Sequence, residues 1–233
     1  MRKTFVSGLI TLGAGTAALG TYILVYRPWE QHWGATDTEV ARPMAGDDLV
    51  DGSLEVTTRA VTVNAAPEYI WPWLMQMGNN RGGLYSYDWL DRKFGQLDRP
   101  SVDRVLPEFQ HLKEGDVMPY ARTGGMLVKV LEPNRAMLLV WQGPGYQVTQ
   151  SWGLYARDRQ HTRLVIRVRA GLPAGVQPSL KDKLTLAVVD PLEFVMTRKQ
   201  LLGIKERAER LRERAKVGAG EDAGGKPPGA GRG

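Results

Sequence analysis

The sequence predicts an α+β domain in which a curved antiparallel sheet is wrapped around one long C-terminal helix, preceded by one N-terminal transmembrane helix. Three observations predict this architecture: an uncharged apolar segment close to the first residue, several alternating segments joined by short turns, and a long amphipathic segment near the end. The chain has 233 residues, of which 42% are hydrophobic and 24% are charged. That composition is typical of one globular domain with flanking segments.

The first segment contains no charged residue from Thr4 to Tyr26. As a helix, its 23 residues would be about 34 Å long, enough to cross the hydrocarbon core of a bilayer. Aromatic residues cluster at its exit, as in an interfacial belt: Tyr22, Tyr26, Trp29 and Trp33. A cleaved signal peptide is the alternative, with Gly15-Thr16-Ala17 as its cleavage site, but the apolar residues continue beyond that site.

Positive charge at the start of the chain predicts the orientation of this span. Arg2 and Lys3 precede it, which favours an N-terminus inside the cell and a domain on the extracytoplasmic side of the cell membrane. The predicted single-pass protein divides into four parts: an anchor at 1–26, a linker at 27–52, a ligand-binding domain at 53–216 and a disordered tail at 217–233. The tail is assigned from its Gly and Pro content.

The domain begins with an alternating strand rich in Val and Thr at 54–64. Two short helices follow, one after Ala66-Pro67 with its body at 69–77 and one at 84–94. Five further strands are predicted, the last four as two hairpins: 117–122, 125–131, 136–142, 146–156 and 162–170. In the final strand Arg163, Arg167 and Arg169 share one face, which we expect to face water.

The last element of the domain is a long helix. The segment Asp190-Pro191-Leu192-Glu193 is typical of a helix N-terminus, with an acid at the cap and Pro at the first helical position. One apolar stripe follows at three- and four-residue spacing: Thr197, Leu201, Ile204, Ala208 and Leu211. A sheet curled around this helix would leave an interior space lined by large aromatic residues and suited to an apolar ligand.

Composition and motifs exclude several classes of function. The formal net charge is +6, but the excess lies in Arg2, Lys3 and the segment 198–216, so the rest is nearly neutral and nucleic acid is not expected as a partner. The chain has no cysteine and its three histidines are far apart, so we predict no metal site. No dinucleotide fingerprint, P-loop or nucleophile elbow occurs, and we expect no cofactor. Small residues four apart in the predicted span, such as Gly13 and Ala17, could pack two spans together but are also ordinary in membrane helices, so the oligomeric state stays open.

One block of the sequence resembles a known superfamily. Residues Trp71–Arg92, WPWLMQMGNNRGGLYSYDWLDR, are similar to the helix-grip superfamily that includes START domains, polyketide cyclases/aromatases and SRPBCC proteins, in particular to a bacterial polyketide cyclase/dehydrase-like branch. The resemblance extends over roughly residues 37–212 and implies a cavity for a hydrophobic ligand beneath the long helix. It implies no single reaction, because the superfamily contains carriers, sensors and enzymes.

Nine residues are candidate ligand contacts, either as a polar rim around the loop at 78–83 or as bulky inward-facing side chains. They are Trp73, Gln76, Met77, Arg81, Tyr85, Tyr87, Tyr120, Trp141 and Trp152. Arg81 would pair with an acidic head group, and Tyr85 or Tyr87 would donate a hydrogen bond. The alternative for this rim is a purely structural role in the loop, and for the tryptophans ordinary core packing. No catalytic residue is assigned.

Three functions remain open at this point. The first is a membrane-anchored domain that binds a small hydrophobic or amphipathic ligand, such as a lipid or isoprenoid. The second is a cyclase- or aromatase-like enzyme, for which acid and base groups must meet in the pocket. At least two of six residues would have to converge there: Gln76, Arg81, Tyr85, Tyr87, His111 and Tyr120. The third is a non-catalytic interaction module, which a solidly packed interior would favour.

Overall fold

The computed structural model describes residues 20–50, 53–143, 146–172 and 176–224. The helices are α1 (Arg27–Gln31), α2 (Asp37–Ala41), α3 (Pro67–Met75), α4 (Asp88–Lys93) and α5 (Leu180–Gly224). The strands are β1 (Ser53–Val63), β2 (Val117–Pro119), β3 (Gly125–Glu132), β4 (Ala136–Gly143), β5 (Tyr146–Ala156) and β6 (Thr162–Gly171). A π-helical turn at Tyr22–Tyr26 leads into α1, and a 3-10 turn lies at Pro107–Phe109.

The strands form one antiparallel sheet in the order β1-β6-β5-β4-β3-β2. Each predicted strand is present, and the two predicted hairpins pair as β3–β4 and β5–β6. The pairing places Met137 opposite Trp152, and Trp152 opposite Ile166. All three side chains are buried in the main core. Because side chains alternate along a strand, this register defines the inner face of the sheet.

Helix α5 lies against that inner face. Its Leu201, Ile204 and Ala208 are buried in the same core as Leu164 and Ile166 of β6. This confirms the apolar stripe predicted from the sequence, since residues at three- and four-residue spacing share one side of a helix. Helix α3 packs against α5 and β5. A six-stranded antiparallel sheet that holds a long C-terminal helix is the helix-grip arrangement.

The start of α5 differs from the prediction. The helix begins at Leu180 rather than at Asp190, and Pro191 lies inside it. A capping arrangement at Ser179 explains the earlier start. The Ser179 hydroxyl accepts a hydrogen bond from the backbone N–H of Asp182 (3.2 Å), while the Asp182 carboxylate accepts one from the Ser179 N–H (2.8 Å). Both capping interactions satisfy N–H groups that a helix start leaves free.

The end of α5 also extends beyond the predicted domain. Residues 217–224, for which the Gly-rich composition predicts disorder, continue the helix, while residues 225–233 lie outside the described part of the chain. The sequence contains no proline between Pro191 and Pro227. Isolated glycines weaken a helix by about 1 kcal/mol each but do not break it as proline does.

The outer face of β6 is covered rather than wet, which corrects the expectation for its arginines. Arg163 is buried and pairs with Glu39 (2.7 Å), and Arg167 is buried and pairs with Asp47 (2.6 Å). Asp47 also pairs with Arg169 (3.0 Å). The covering residues belong to the segment 27–50, which the sequence analysis assigned to a linker. Strand periodicity contains no information about charge pairing with a segment distant in sequence. The arginine face of β6 was therefore predicted to be solvated.

The same segment is tied to the rest of the fold at α1. Arg27 donates to Glu55 of β1 (2.6 Å) and to Asp190 of α5 (3.2 Å). Within residues 20–50, 53–143, 146–172 and 176–224, no helix is both long and apolar enough to cross a bilayer. Most of the predicted span, residues 4–19, lies outside these residues.

Candidate functional site

A cavity of about 580 Å³ lies between the inner face of the sheet, α4 and the N-terminal half of α5. Most of its wall is apolar and includes Leu84, Met126, Val148, Val168 and Met196. The volume falls within the range of about 300–1,000 Å³ that is usual for small-molecule sites. The cavity therefore provides the interior space expected of a sheet curled around a helix.

The cavity ends where the packed core begins. Along β5, Val148 and Gln150 line it, but Trp152 two residues further on does not. Along α5, Gln200 lines it, and Leu201 belongs to the packed core instead. Because successive inward positions on a strand are about 7 Å apart, the change from hollow to packed interior occurs within one or two residues of each element.

Apolar side chains at the edge of the cavity are partly exposed. Trp141 is 36% exposed and Phe94 54%, and both line the cavity. Val189 and Leu192 of α5 line it from the other side and are also exposed. Exposed large apolar side chains around a concave site mark an entrance for an apolar molecule. We take this rim as the mouth of the cavity.

Asp91 is the buried acid of the cavity wall. It lies on α4, its side chain is 0% exposed, and its Oδ2 accepts a hydrogen bond from the Ser86 hydroxyl. Its Oδ1 has no hydrogen-bond partner among the described residues. Burial raises the pKa of Asp91 to about 6, the Ser86 hydrogen bond opposes the rise, and the nearby Asp88 adds to it. A carboxyl group with a pKa near neutrality can donate or accept a proton under physiological conditions.

Tyr120 and Gln150 form a second polar group in the same wall. The Tyr120 hydroxyl donates to Gln150 Oε1 (3.0 Å). Burial raises the pKa of Tyr120, and hydrogen bonds with Gln200 and Gln150 oppose that rise. The phenol therefore remains protonated at neutral pH, and its hydroxyl can donate to a ligand oxygen once it leaves Gln150 Oε1.

Glu193 of α5 is the third polar feature and already has partners. It forms an ion pair with Arg59, which is fully buried, and accepts a hydrogen bond from Thr197 (2.6 Å). The Arg59 guanidinium also lies 5.2 Å from the centre of the Phe194 ring. Breaking such a pair would leave a buried charge uncompensated. Glu193 is thus held by the fold on the edge of the cavity.

Of the nine predicted contacts, Tyr120 and Trp141 line the cavity and the other seven do not. Gln76 is fully buried and binds the backbone of a neighbouring loop, donating to Arg104 O (3.1 Å) and accepting from Leu106 N–H (2.8 Å). Arg81 donates to the carbonyl oxygens of Met75 (2.8 Å) and Met77 (3.1 Å). Both side chains organise loops, as the structural alternative for the polar rim predicted.

The remaining predicted contacts lie in the packed interior, except Tyr87, which lies next to the surface of α5. Tyr85 donates to the carbonyl oxygen of Trp73 (3.1 Å), and their rings meet edge to face at 5.9 Å. Met77 and Trp152 are buried in the core. The Tyr87 ring lies 5.8 Å from the Lys199 ammonium. His111 is exposed and is absent from the cavity wall. The enzyme hypothesis requires at least two of its six candidate groups in the cavity, and among them only Tyr120 lines it.

The cavity wall also contains polar residues that the sequence did not single out as ligand contacts, above all Asp91, Glu193 and Gln200. One signal for Asp91 was present. Tyr87, Asp91 and Phe94 have four- and three-residue spacing, so an acid lies on the face of a short helical pattern that carries aromatic side chains. An acid at such a position is buried when the helix packs, and buried acids have perturbed pKa values. For Gln200 no comparable signal existed.

Among the described residues, no group of three or more His, Cys, Asp or Glu side chains could hold a metal ion.

At the level of sequence, no family model matches the chain, and no curated protein matches it.

Several solved structures are similar to the chain. The aromatase/cyclase Zhui from Streptomyces sp. R1128 is 18% identical, with a TM-score of 0.40, over 74% of this chain and 99% of that one. A solution structure from Thermobifida fusca is 14% identical (TM-score 0.40, 67% and 94% covered). A hypothetical protein from Helicobacter pylori is 12% identical (TM-score 0.42, 67% and 89% covered). Similarity at this level carries no conclusion about a reaction or a ligand.

Proposed function

We propose that this chain is a membrane-anchored helix-grip domain that binds one small hydrophobic or amphipathic molecule in the cavity between the sheet and α5. The observation that carries the proposal is the cavity itself, about 580 Å³ with a largely apolar wall and an apolar mouth. A solidly packed interior would have favoured an interaction module. A lipid-like or isoprenoid-like molecule with one polar group matches a wall that is apolar except near Asp91, Tyr120 and Gln150.

The membrane part of the proposal is supported by the uncharged segment Thr4–Tyr26. Leu24 and Val25, near the end of this segment, are exposed in the described part of the chain, as is Trp29 just beyond it. Exposed apolar residues at the end of an apolar segment are suited to lipid contact. We expect the full chain to stay with membranes after alkaline carbonate washing, and a protease added outside the cell to reach the domain. Release by carbonate would contradict anchoring.

Ligand binding is tested by extracting the full chain, purified in detergent, and identifying co-purified small molecules by mass spectrometry. The variant Val148→Trp places a large side chain in the cavity, whereas Val117→Trp changes an exposed residue of β2. We expect a bound molecule in the wild type and in Val117→Trp, and its loss in Val148→Trp. Equal recovery from all three proteins would show that the molecule is bound elsewhere, and no recovery from any would count against a carrier.

A second candidate function is a cyclase- or aromatase-like enzyme acting on a polyketide-type carbonyl compound. One observation favours it: Asp91, with a pKa near 6, and the Tyr120 hydroxyl line the same cavity. A carboxylate base and a phenol donor are the groups that would move a proton next to a carbonyl and stabilise the enolate. The test is deuterium exchange at the α carbon of 2-decalone, followed by NMR. Catalysed exchange that falls at least about tenfold in Tyr120→Phe would support the enzyme, and no exchange above background would count against it.

A further inference from the structure

The cavity has an uneven distribution of charge. Two of the described residues that line it are acidic, Asp91 and Glu193, and none of them is Lys or Arg. Arg81 is the predicted partner for an acidic head group. It lies outside the cavity wall and donates to backbone carbonyls. A ligand carrying a carboxylate or phosphate would therefore meet like charge and no cation among the described lining residues, since the neighbouring Arg59 is already paired with Glu193.

The two acids differ in how many ion pairs and hydrogen bonds the protein provides for their carboxylates. Glu193 pairs with Arg59 and accepts from Thr197. Asp91 receives one hydrogen bond, from Ser86, and its Oδ1 has none although the residue is fully buried. Buried carboxylate oxygens are normally hydrogen-bonded, so an unpartnered one requires an explanation. A ligand that supplies the missing donor is such an explanation.

The groups facing Asp91 do not neutralise it. Asp88, on the same helix, raises the pKa of Asp91. Tyr120, in the segment between β2 and β3, senses the charges of both Asp91 and Glu193, which raise its own pKa. The two titratable groups whose charges couple most clearly to this carboxyl are thus an acid and a phenol. With a pKa of about 6, Asp91 is mostly ionised at pH 7 and above, which leaves a negative charge in an apolar wall.

We propose that the cavity takes an apolar molecule bearing a protonated amine, whose ammonium group pairs with Asp91. This inference rests on the proposed ligand-binding function and specifies its ligand class. The ammonium would donate to Asp91 Oδ1, with the Ser86 and Tyr120 oxygens nearby as further acceptors, and the alkyl part would lie against Val148, Val168 and Met196. Hydrogen bonds between opposite charges are stronger than neutral ones, and more so away from water.

The test uses three probes with the same ten-carbon chain: decylamine, decanol and decanoate. The full chain is reconstituted in phosphatidylcholine nanodiscs, empty nanodiscs are subtracted, and binding is followed by tryptophan fluorescence, since Trp141 lines the cavity. We expect decylamine to bind at least about tenfold more tightly than decanol, and decanoate to bind most weakly. In Asp91→Asn the amine should bind no better than decanol, while decanol binding persists. The matched control Asp103→Asn changes an exposed acid and should behave as the wild type.

A pH titration of the wild type makes the same test without a mutation. Decylamine keeps its charge from pH 5 to 8, because alkyl ammonium groups titrate near pH 10. Its affinity should therefore rise as Asp91 ionises around pH 6, whereas that of decanol should not rise. In Asp91→Asn the rise should be absent.

The outcomes separate this inference from the proposed function. If decanol and decylamine bind equally, if decanoate binds most tightly, or if the amine preference survives Asp91→Asn, the ligand class is wrong although the cavity binds ligands. If none of the probes binds the wild type, the proposed function fails and the inference fails with it. Should Asp91→Asn lose decanol binding as well, the pH titration of the wild type decides the question.

Discussion

The space between the sheet and α5 has two ends that are built differently from the same elements. At one end, Trp152, Ile166 and Leu201 belong to a closely packed core. At the other end, positions further along the same strands and helix carry Gln150, Val168 and Thr197, and a cavity remains. β5, β6 and α5 run through both ends, and the side chains that they present there differ in volume and polarity.

In this fold the packed end provides stability and the hollow end provides the candidate binding site. Large apolar side chains gain free energy from burial in the packed end, about 1.5–3 kcal/mol each. The hollow end forgoes that gain and contains a buried carboxyl group with an unpartnered oxygen. We therefore expect substitutions at the packed end to affect the free energy of unfolding, and those at the hollow end to affect binding and pH dependence.

The largest expected effect is that of Trp152→Ala. The side chain is fully buried in the packed end, and its removal leaves a cavity, so the free energy of unfolding should fall by about 3–5 kcal/mol. Trp141→Ala is the matched change at the hollow end, where the ring is 36% exposed, and should cost about 1–2 kcal/mol. Urea titration followed by circular dichroism measures both. Equal losses would contradict the difference between the two ends.

Asp91→Asn should change how stability depends on pH. The folded-state pKa is raised from 3.8 to about 6, so the folded state binds the proton more tightly than the unfolded state does. Stability is then lost as pH rises from 4 to above 6, by at most about 3 kcal/mol. The variant lacks this titration and should lose less stability over that interval.

Urea titrations of both proteins at pH 4, 5, 6 and 7 measure the effect of Asp91. Asp103→Asn, which changes an exposed acid, should follow the wild type. Parallel curves for the wild type and Asp91→Asn would show that the carboxyl group is solvated and that the hollow end carries no such cost.

Gly203→Ala tests how closely the packed end is built. A Cβ at Gly203 of α5 would overlap the carbonyl oxygen of Tyr85, which itself has a positive φ of 59°. Alanine favours a helix, but the overlap requires the loop to move away from α5, so we expect a net loss of about 1–3 kcal/mol. Gly218→Ala, on the same helix with no atom near its Cβ, should be neutral or stabilising by up to about 1 kcal/mol. Stabilisation by both alanines would contradict close packing at Tyr85.

The smallest effect is expected for Thr197→Val at the hollow end. The change keeps the shape of the side chain but removes its hydrogen bond to Glu193, which should cost about 1 kcal/mol. Thr185→Val on the exposed side of the same helix should cost less than about 0.5 kcal/mol. A loss above about 3 kcal/mol for Thr197→Val would place that residue with the packed end.

Much of the fold follows from local patterns. Alternation predicted the six strands, and the spacing of Leu201, Ile204 and Ala208 predicted the buried side of the long helix. The start of that helix was misplaced because Asp190-Pro191 is a strong local start signal, whereas Ser179 and Asp182 form the cap in the structure. The covered arginine face was missed since Glu39 and Asp47 lie more than a hundred residues from their partners.

The candidate site was less predictable than the fold. The block around Gln76, Arg81 and Tyr85 has the residue types of a binding site, but these side chains hold loops together. Tyr120 and Trp141 were predicted and do line the cavity. A polar residue type alone does not say whether its partner is a backbone group or a ligand, because that depends on which loop packs beside it.

By itself, the sequence determined the order of strands and helices from residue 53 onward, the apolar stripe of the long helix and the uncharged segment at the start, because periodicity and composition are properties of neighbouring residues. Only the tertiary structure decided where the interior stays empty, that Asp91 lies in its wall without a counter-charge, and that the arginines of β6 are covered. These features depend on which distant side chains meet and how much volume they fill, and short-range patterns contain no information about either.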